Sequence, residues 1–277
     1  MIADNKASPS PHRPSRWGEG RGEGQPHTAA QAAAPHPHPH PHPLLAEERG
    51  REQHDLRSYG RRRGRAPSPR QASLWQKTLP RLALDLSQPP PPRIGDLFAP
   101  PVADVWLEIG FGGGEHLLWQ ARHNPGVGII GCEPFQDGVI KVLSAIEDER
   151  LANIRLHADD ARPLLRRLRE ASIGRAFILF PDPWPKKRHH KRRLVSPATL
   201  GELARVMRPG AELRLATDDG DYARWMLLAV AEQRNFRWMA TAAADWRERG
   251  PDWPPTRYEQ KAQRAGRRCY YFRFRRM

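Results

Sequence analysis

From Ala103 to the C-terminus the chain alternates short apolar runs with segments of helical spacing, and this alternation leaves few architectures open. The runs are DVWLEIG, VGIIGCE, NIRLHAD, GRAFILF and AELRLAT. Each is rich in Val, Ile, Leu and Phe and apolar on successive residues, the pattern of a parallel strand buried on both faces. Between them, residues 115–123, 135–148, 163–171, 196–206 and 221–233 read as helices. A closing strand pair is expected at residues 236–241 and 269–274. The pattern predicts one α/β domain over residues 102–277, a doubly wound, mostly parallel sheet that binds its ligands at the carboxyl ends of the strands. Trp106, Trp225 and Trp238 fall on these patterns and are expected in the core.

The chain upstream is different. Residues 1–54 are rich in Pro, His, Gly and Ala, and Pro alternates with His from Pro35 to Pro43. Such a segment buries too little apolar surface to offset its chain entropy and is expected to be a disordered extension. Pro at alternate positions forbids a helix, so the tract presets no metal-ligand geometry and reads as a stiff polyproline-like tail; no metal site is expected. Lys6, Arg13, Arg16, Arg21, Arg49 and Arg51 cancel Asp4, Glu19, Glu23, Glu47, Glu48 and Glu52, so the whole net charge of +15 belongs to residues 55–277. A domain this basic calls for a polyanionic partner, nucleic acid before an acidic membrane surface. Residues 55–101 form a basic arm and linker. It opens with RSYGRRRGR, where Arg57, Arg61, Arg62, Arg63 and Arg65 crowd together as phosphate contacts or as a solvated linker, and Pro89 to Pro92 bound the main domain. The longest uncharged apolar run of the central region, Trp225 to Ala231, falls far short of the ~20 residues that span a bilayer. The N-terminus lacks the apolar core of a signal peptide. Cys132 and Cys269 cannot form a disulfide framework or a four-cysteine zinc site, and both are expected to be buried. The chain reads as soluble and cytoplasmic.

The first run ends in LEIGFGGGEH. Gly110 and Gly112 open a strand-to-helix turn in which the backbone can approach a ligand closely. Glu133 ends the second strand about twenty residues later, a spacing suited to a ribose diol. Dinucleotide enzymes share these features, and Glu108 separates the cases. A carboxylate there would repel the pyrophosphate of NAD, whereas S-adenosylmethionine has no phosphate and carries an ammonium and a sulfonium. Glu115 also replaces the third glycine of the dinucleotide fingerprint. Asp159 and Asp160 follow the third strand; either can accept from an adenine amino group or cap the helix beginning near Arg162.

The segment FILFPDPWPKKRHHKRR carries the most information. Pro181, Pro183 and Pro185 hold a rigid loop after strand four. Asp182 sits where a methyl donor and its acceptor should meet, and Trp184 offers a face for stacking a base. Lys186, Lys187, Arg188, Lys191, Arg192 and Arg193 place phosphate-binding charge beside that point. His189 and His190 lack metal-ligand spacing and read as RNA contacts.

LEIGFGGG, GCEP, PDPWPKKRHHKRR, LATDDGDYA and TRYEQKAQRAG resemble, in the same order, the motifs of the tRNA (guanine-N7-)-methyltransferases, and RSYGRRRGR resembles their basic entry. The likeness covers about Leu56 to Phe274. It implies a class I, Rossmann-like fold, S-adenosylmethionine as methyl donor, tRNA as partner with no obligatory protein subunit, and N7 of guanine 46 in the variable loop as the target. By this resemblance Glu108, Glu133, Asp160 and Asp182 match cofactor contacts, and Asp182 the catalytic acid. Lys186, Asp218, Thr256, Arg257, Tyr258 and Glu259 match substrate positions, and Arg188 to Arg193 the RNA-contacting stretch. Pro185 stands where relatives often carry His. Asp218 and Glu259 are acids in a basic domain, suited to reading the N1–H and amine of guanine. Two other readings are a class I methyltransferase acting on another RNA guanine, which the TRYE motif and Asp218 oppose, and a non-enzymatic RNA-binding module, which would need neither Glu108 nor the glycine turn.

Overall fold

The computed structural model describes residues 59–277 except Arg61 and Arg65. The Pro/His-rich segment 1–54 and the arginines Arg57, Arg61 and Arg65 of the basic entry lie outside the described residues. A first helix, α1, runs through three consecutive pieces, Pro69–Ser73, Leu74–Thr78 and Leu79–Leu82. Strands and helices then alternate: β1 Asp104–Ile109, α2 Glu115–His123, β2 Val127–Cys132, α3 Gln136–Glu149, β3 Ile154–His157, α4 Ala161–Arg167, β4 Ile173–Leu179, α5 Pro197–Val206, β5 Met207–Thr217 and α6 Gly220–Gln233. The chain closes with β6 Phe236–Trp238, α7 Arg257–Arg264 and β7 Tyr270–Arg276. The seven strands lie in the order β3-β2-β1-β4-β5-β7-β6. The first five are parallel, and β7 runs antiparallel between β5 and β6. The expected doubly wound, mostly parallel α/β sheet is the one observed.

Both faces of the sheet are covered. On one, Leu107, Ile109, Ile130, Ile178, Leu213 and Leu215 pack against α4, α5 and α6 through Leu164, Leu200, Leu203 and Met226. On the other, Ile129, Ile154 and Leu156 meet Leu117, Val139 and Leu143 of α2 and α3. Leu74 and Leu79 of α1 join that cluster, and Phe98 joins the first. The stretch after the basic entry is thus packed into the domain. Among the described residues no helix is long and apolar enough to cross a membrane, and no group of three His, Cys, Asp or Glu side chains could hold a metal ion.

Several boundaries differ from expectation. Helix α4 runs from Ala161 to Arg167; it starts two residues before Pro163 because the Asp160 side chain caps it there. Strand β6 stops at Trp238, and β7 continues to Arg276. Trp106 and Trp225 are buried as expected, but Trp238 is 42% exposed. It lies on the sheet's outermost strand, where its ring meets Phe272 edge-on. Cys132 and Cys269 are buried.

At Gly131 in β2 helix α2 lies so close to the sheet that a Cβ would run into Leu117 and Phe111. Gly131→Val should destabilise the protein by about 1–3 kcal/mol through overpacking. Urea unfolding measures this, and an unchanged midpoint would refute so tight a helix–sheet contact.

Candidate active site

The carboxyl ends of β1, β2 and β4, with the turn after β3, open on a cavity of about 350 Å3. Gly110, Gly112, Glu133, Asp160, Asp182 and Tyr258 are among its walls. Gly110 and Gly112 both take left-handed φ, at 77° and 57°. Around Gly110 a Cβ would meet open space, so only the backbone conformation demands glycine there. At Gly112 a Cβ would come 2.8 Å from the Tyr258 ring, so close approach adds to the demand.

Glu133 ties this turn to the next strand. Its Oε2 accepts from Gly112 N at 2.7 Å, and its Oε1 accepts from Phe135 N at 2.9 Å. Burial pushes its carboxyl above the usual range and the charge of Asp182 adds to this, against the two amide hydrogen bonds and Arg257. Each oxygen keeps a lone pair for a further donor, such as a ribose hydroxyl.

Both acids after β3 are engaged. Asp160 caps α4 by accepting from Arg162 N at 2.9 Å and is paired with the Arg162 guanidinium. Burial would raise its carboxyl, but the Arg162 hydrogen bonds and charge hold it below the usual range. Asp159 accepts from Asp160 N at 2.8 Å and pairs with Arg62 at 2.5 Å. Arg62 O in turn accepts from Gln136 N at 2.9 Å, so the basic entry crosses the cavity mouth, and Tyr59 and Gly60 line it.

After β4 the chain turns sharply. Phe180 and Trp184 adopt left-handed φ of 53° and 45°, unusual for bulky residues and a sign of local strain. The turn carries Asp182 into the cavity wall, where no described residue pairs with its carboxylate and burial pushes its carboxyl up.

The basic run divides by role. Lys186, Arg188 and Lys191 are exposed. The His189 ring meets Trp184 edge-on, and His190 lies against Trp225. Arg192 sits 4.5 Å over the Tyr59 ring and 4.9 Å over Trp184, which makes it part of the cavity wall. Arg193 is corrected as an RNA contact, because its side chain is 1% exposed. It donates to Pro183 O at 2.9 Å, pairs with Asp221 at 2.5 Å, and lies over the Tyr222 and Trp225 rings.

Other expected site residues stand behind the wall. Glu108 points to the opposite face of β1, is 3% exposed, and its Oε2 lies 2.7 Å from His116 Nδ1. Thr256 caps α7 by accepting from Glu259 N at 3.2 Å. Arg257 reaches Glu115 at 3.6 Å and stacks on Tyr258. Glu259 is buried and accepts from Tyr271 Oη at 2.7 Å and Arg249 Nε at 3.0 Å. Asp218 pairs with Arg267 at 2.8 Å. The cavity therefore gathers Gly110, Gly112, Glu133, Asp160, Asp182 and Tyr258, and leaves Glu108, Asp218, Thr256 and Glu259 out of its lining. Sequence reasoning missed Tyr59, Gly60 and Arg192 as wall residues; the signal was an aromatic and a glycine inside an otherwise cationic run.

The Methyltransf_4 family model, described as "Putative methyltransferase", matches residues 103–272. A tRNA (guanine-N(7)-)-methyltransferase of Chelativorans sp. (strain BNC1) is 48% identical over 227 residues, covering 80% of this chain and 98% of the relative. The enzymes so named from Nitrobacter hamburgensis and Rhodospirillum rubrum are 49% and 48% identical, covering 79% and 80% of this chain and 86% and 88% of their own lengths.

Because Arg193 pins the Pro-Asp-Pro-Trp loop to α6, Arg193→Ala should lower stability by about 1–2 kcal/mol, the pair being half solvated, while Arg188→Ala leaves it unchanged. Equal losses in urea unfolding would contradict the division of roles. Asp182 is exposed, and partial desolvation pushes its carboxyl up, so ionising it weakens the fold only slightly at neutral pH and not at all at low pH. Asp182→Asn should therefore melt at or slightly above the wild type at pH 7, with any difference closing below about pH 4; a variant that melts clearly below the wild type at pH 7 would contradict a raised carboxyl.

Proposed function

The chain belongs to the tRNA (guanine-N7-)-methyltransferase family, and on that premise we propose that it transfers the methyl group of S-adenosylmethionine to N7 of guanine 46 in the variable loop of tRNA. The observation that carries the reading is the meeting, in one cavity, of the glycine turn with its Glu133 tie and the Asp182 loop with its flanking cations. The cavity fits the donor. Its floor is backbone at Gly110 and Gly112, Glu133 has acceptor capacity left for the ribose diol, and the acids after β3 border the adenine end.

The bound donor supplies a methyl carbon already activated by a sulfonium. Guanine N7 carries an in-plane lone pair and no proton at neutral pH. As that pair forms the N–C bond, the C–S pair returns to sulfur, and positive charge passes to the purine. No general base is required, and catalysis rests on positioning and electrostatics. Asp182 orients the base by accepting from its N1–H or exocyclic amine, and its negative charge offsets the charge arriving on the ring. Its partial desolvation strengthens that interaction. Tyr258 and Trp184 offer ring faces at the cavity wall, and Lys186, Arg188 and Lys191 hold the RNA backbone beside it. Glu108 serves indirectly by fixing His116 in the first turn of α2, the helix that follows the glycine turn.

The decisive experiment is methyl transfer from labelled donor to unmodified bulk tRNA, followed by borohydride reduction and aniline cleavage, which cuts at N7-methylguanosine. Cleavage at a variable-loop guanine is expected; incorporation without cleavage would move the product to another atom. Asp182→Asn should lower kcat about 100-fold or more while donor affinity changes only a few-fold. Undiminished turnover in that variant would remove Asp182 from the chemistry.

A further inference from the structure

Away from the cavity, the sheet carries a row of charge that the reaction does not use. The pairing register places Trp106 of β1, Arg175 of β4, Glu212 of β5, Arg275 of β7 and Arg237 of β6 side by side on one face. Arg214 and Arg273, directly opposite each other, stand in the row of the same face two residues nearer the carboxyl end of β5. Arg175, Arg214, Arg237, Arg273 and Arg275 thus share this face with Glu212, with Asp104 and Glu108 of β1, which Arg208 and His116 engage, and with Asp252 from the loop before α7.

The acids are already used at one end. Glu212 pairs with Arg273 at 2.5 Å, Arg214 at 3.1 Å and Arg175 at 3.3 Å, and Asp252 pairs with Arg214 at 2.5 Å. Arg175 is further held 4.4 Å over the Trp106 ring. At the other end Arg237 and Arg275 are exposed, and no acid among the described residues pairs with either. They are directly opposed across β6 and β7, a like-charge arrangement that weakens a sheet. A charged edge strand also discourages edge-to-edge association, but one acid on either strand would serve that end and would relieve the repulsion.

We propose that this arginine row is a second tRNA-docking surface, on which Arg237 and Arg275 receive backbone phosphates of the substrate. Arg175 lies about 13 Å from the carboxyl end of β4, four residues along that strand from Leu179, and Arg237 lies three strands across from it, so Arg237 is about 20 Å from that end. A tRNA with one guanine in the cavity spans that distance, and the unpaired charge matches a polyanion. The proposal rests on the reading of tRNA as substrate and adds a contact remote from the reacting base.

The test is Arg237→Glu, which puts an acid opposite Arg275. Docking predicts a KM for tRNA raised roughly tenfold, a shallower dependence of tRNA affinity on salt by about one to two phosphate contacts, and unchanged kcat and donor affinity. The melting temperature should hold or rise, since an opposite-charge pair replaces a like-charge one. Arg237→Gln should fall between wild type and Arg237→Glu in KM. If the wild type binds and methylates tRNA while both variants keep its KM and salt dependence, the row is edge protection only and the proposal fails. A fall in melting temperature in Arg237→Glu would also overturn it, by removing the repulsion on which it stands. Failure of the wild type itself to bind tRNA would instead strike the substrate reading, and this proposal with it.

Discussion

A single buried carboxylate holds the two halves of the site together. Glu133, at the end of β2, accepts one hydrogen bond from the glycine turn that leaves β1 and another from the start of α3. Without those amides only the charge of Arg257 would offset its desolvation, which pushes it toward its neutral form. Without the carboxylate, Gly112 N would be left unpaired at the cavity floor. The bond thus fixes the backbone of the turn and leaves acceptor capacity facing the ligand. Tyr258 depends on the same turn, because its ring lies where any side chain at position 112 would have to go. A residue from near the C-terminus is thereby placed against a loop from the first strand.

The loop after β4 is held by a different device. Proline limits its backbone, but direction comes from Arg193, which reaches back to Pro183 O and across to Asp221 over the Tyr222 and Trp225 rings. Guanidinium suits this task, since it is planar, always charged and able to donate in several directions at once. One cation of a run that looks uniform is therefore spent on architecture, and Arg192, stacked between Tyr59 and Trp184, is spent on the cavity wall.

This explains what the sequence could and could not disclose. The five parallel strands were legible because burial on both faces writes itself as continuous apolar runs, and the glycine turn because only glycine tolerates φ near 77° and 57° beside a ring. Of the residues recognised by motif, Glu133, Asp160, Asp182 and Tyr258 line one cavity, and Glu108, Asp218, Thr256 and Glu259 do not. What was hidden depends on direction and contact. The side of β1 on which Glu108 lies is set by pleat and packing, and spacing alone did not place it beside His116. Thr256 could by sequence either cap a turn or donate to substrate, and only the fold shows it as a helix cap. Trp238 reads as core by composition, and only the position of β6 at the sheet edge exposes it.

A protein that grips a polyanion must keep its own acids from neutralising its cations, and the structure does this by sorting. Asp160 is committed to Arg162, Asp159 to Arg62, Glu259 to Arg249 and Tyr271, and Glu212 to three arginines. Acids thus satisfy cations at short range, and the Asp160, Glu259 and Glu212 carboxylates do so where they are largely buried and the lower dielectric strengthens the pairing. Lys186, Arg188 and Lys191 stand beyond them on the surface, where their charge projects into solvent. Asp182 stands apart from the other acids of the cavity wall. It keeps a carboxylate in the cavity wall with no partner among the described residues, at a cost the fold bears as a raised pKa. A carboxylate held apart from a cationic surface is what a purine acquiring positive charge requires: the cations retain the RNA, and the acid receives the charge created at the moment of transfer.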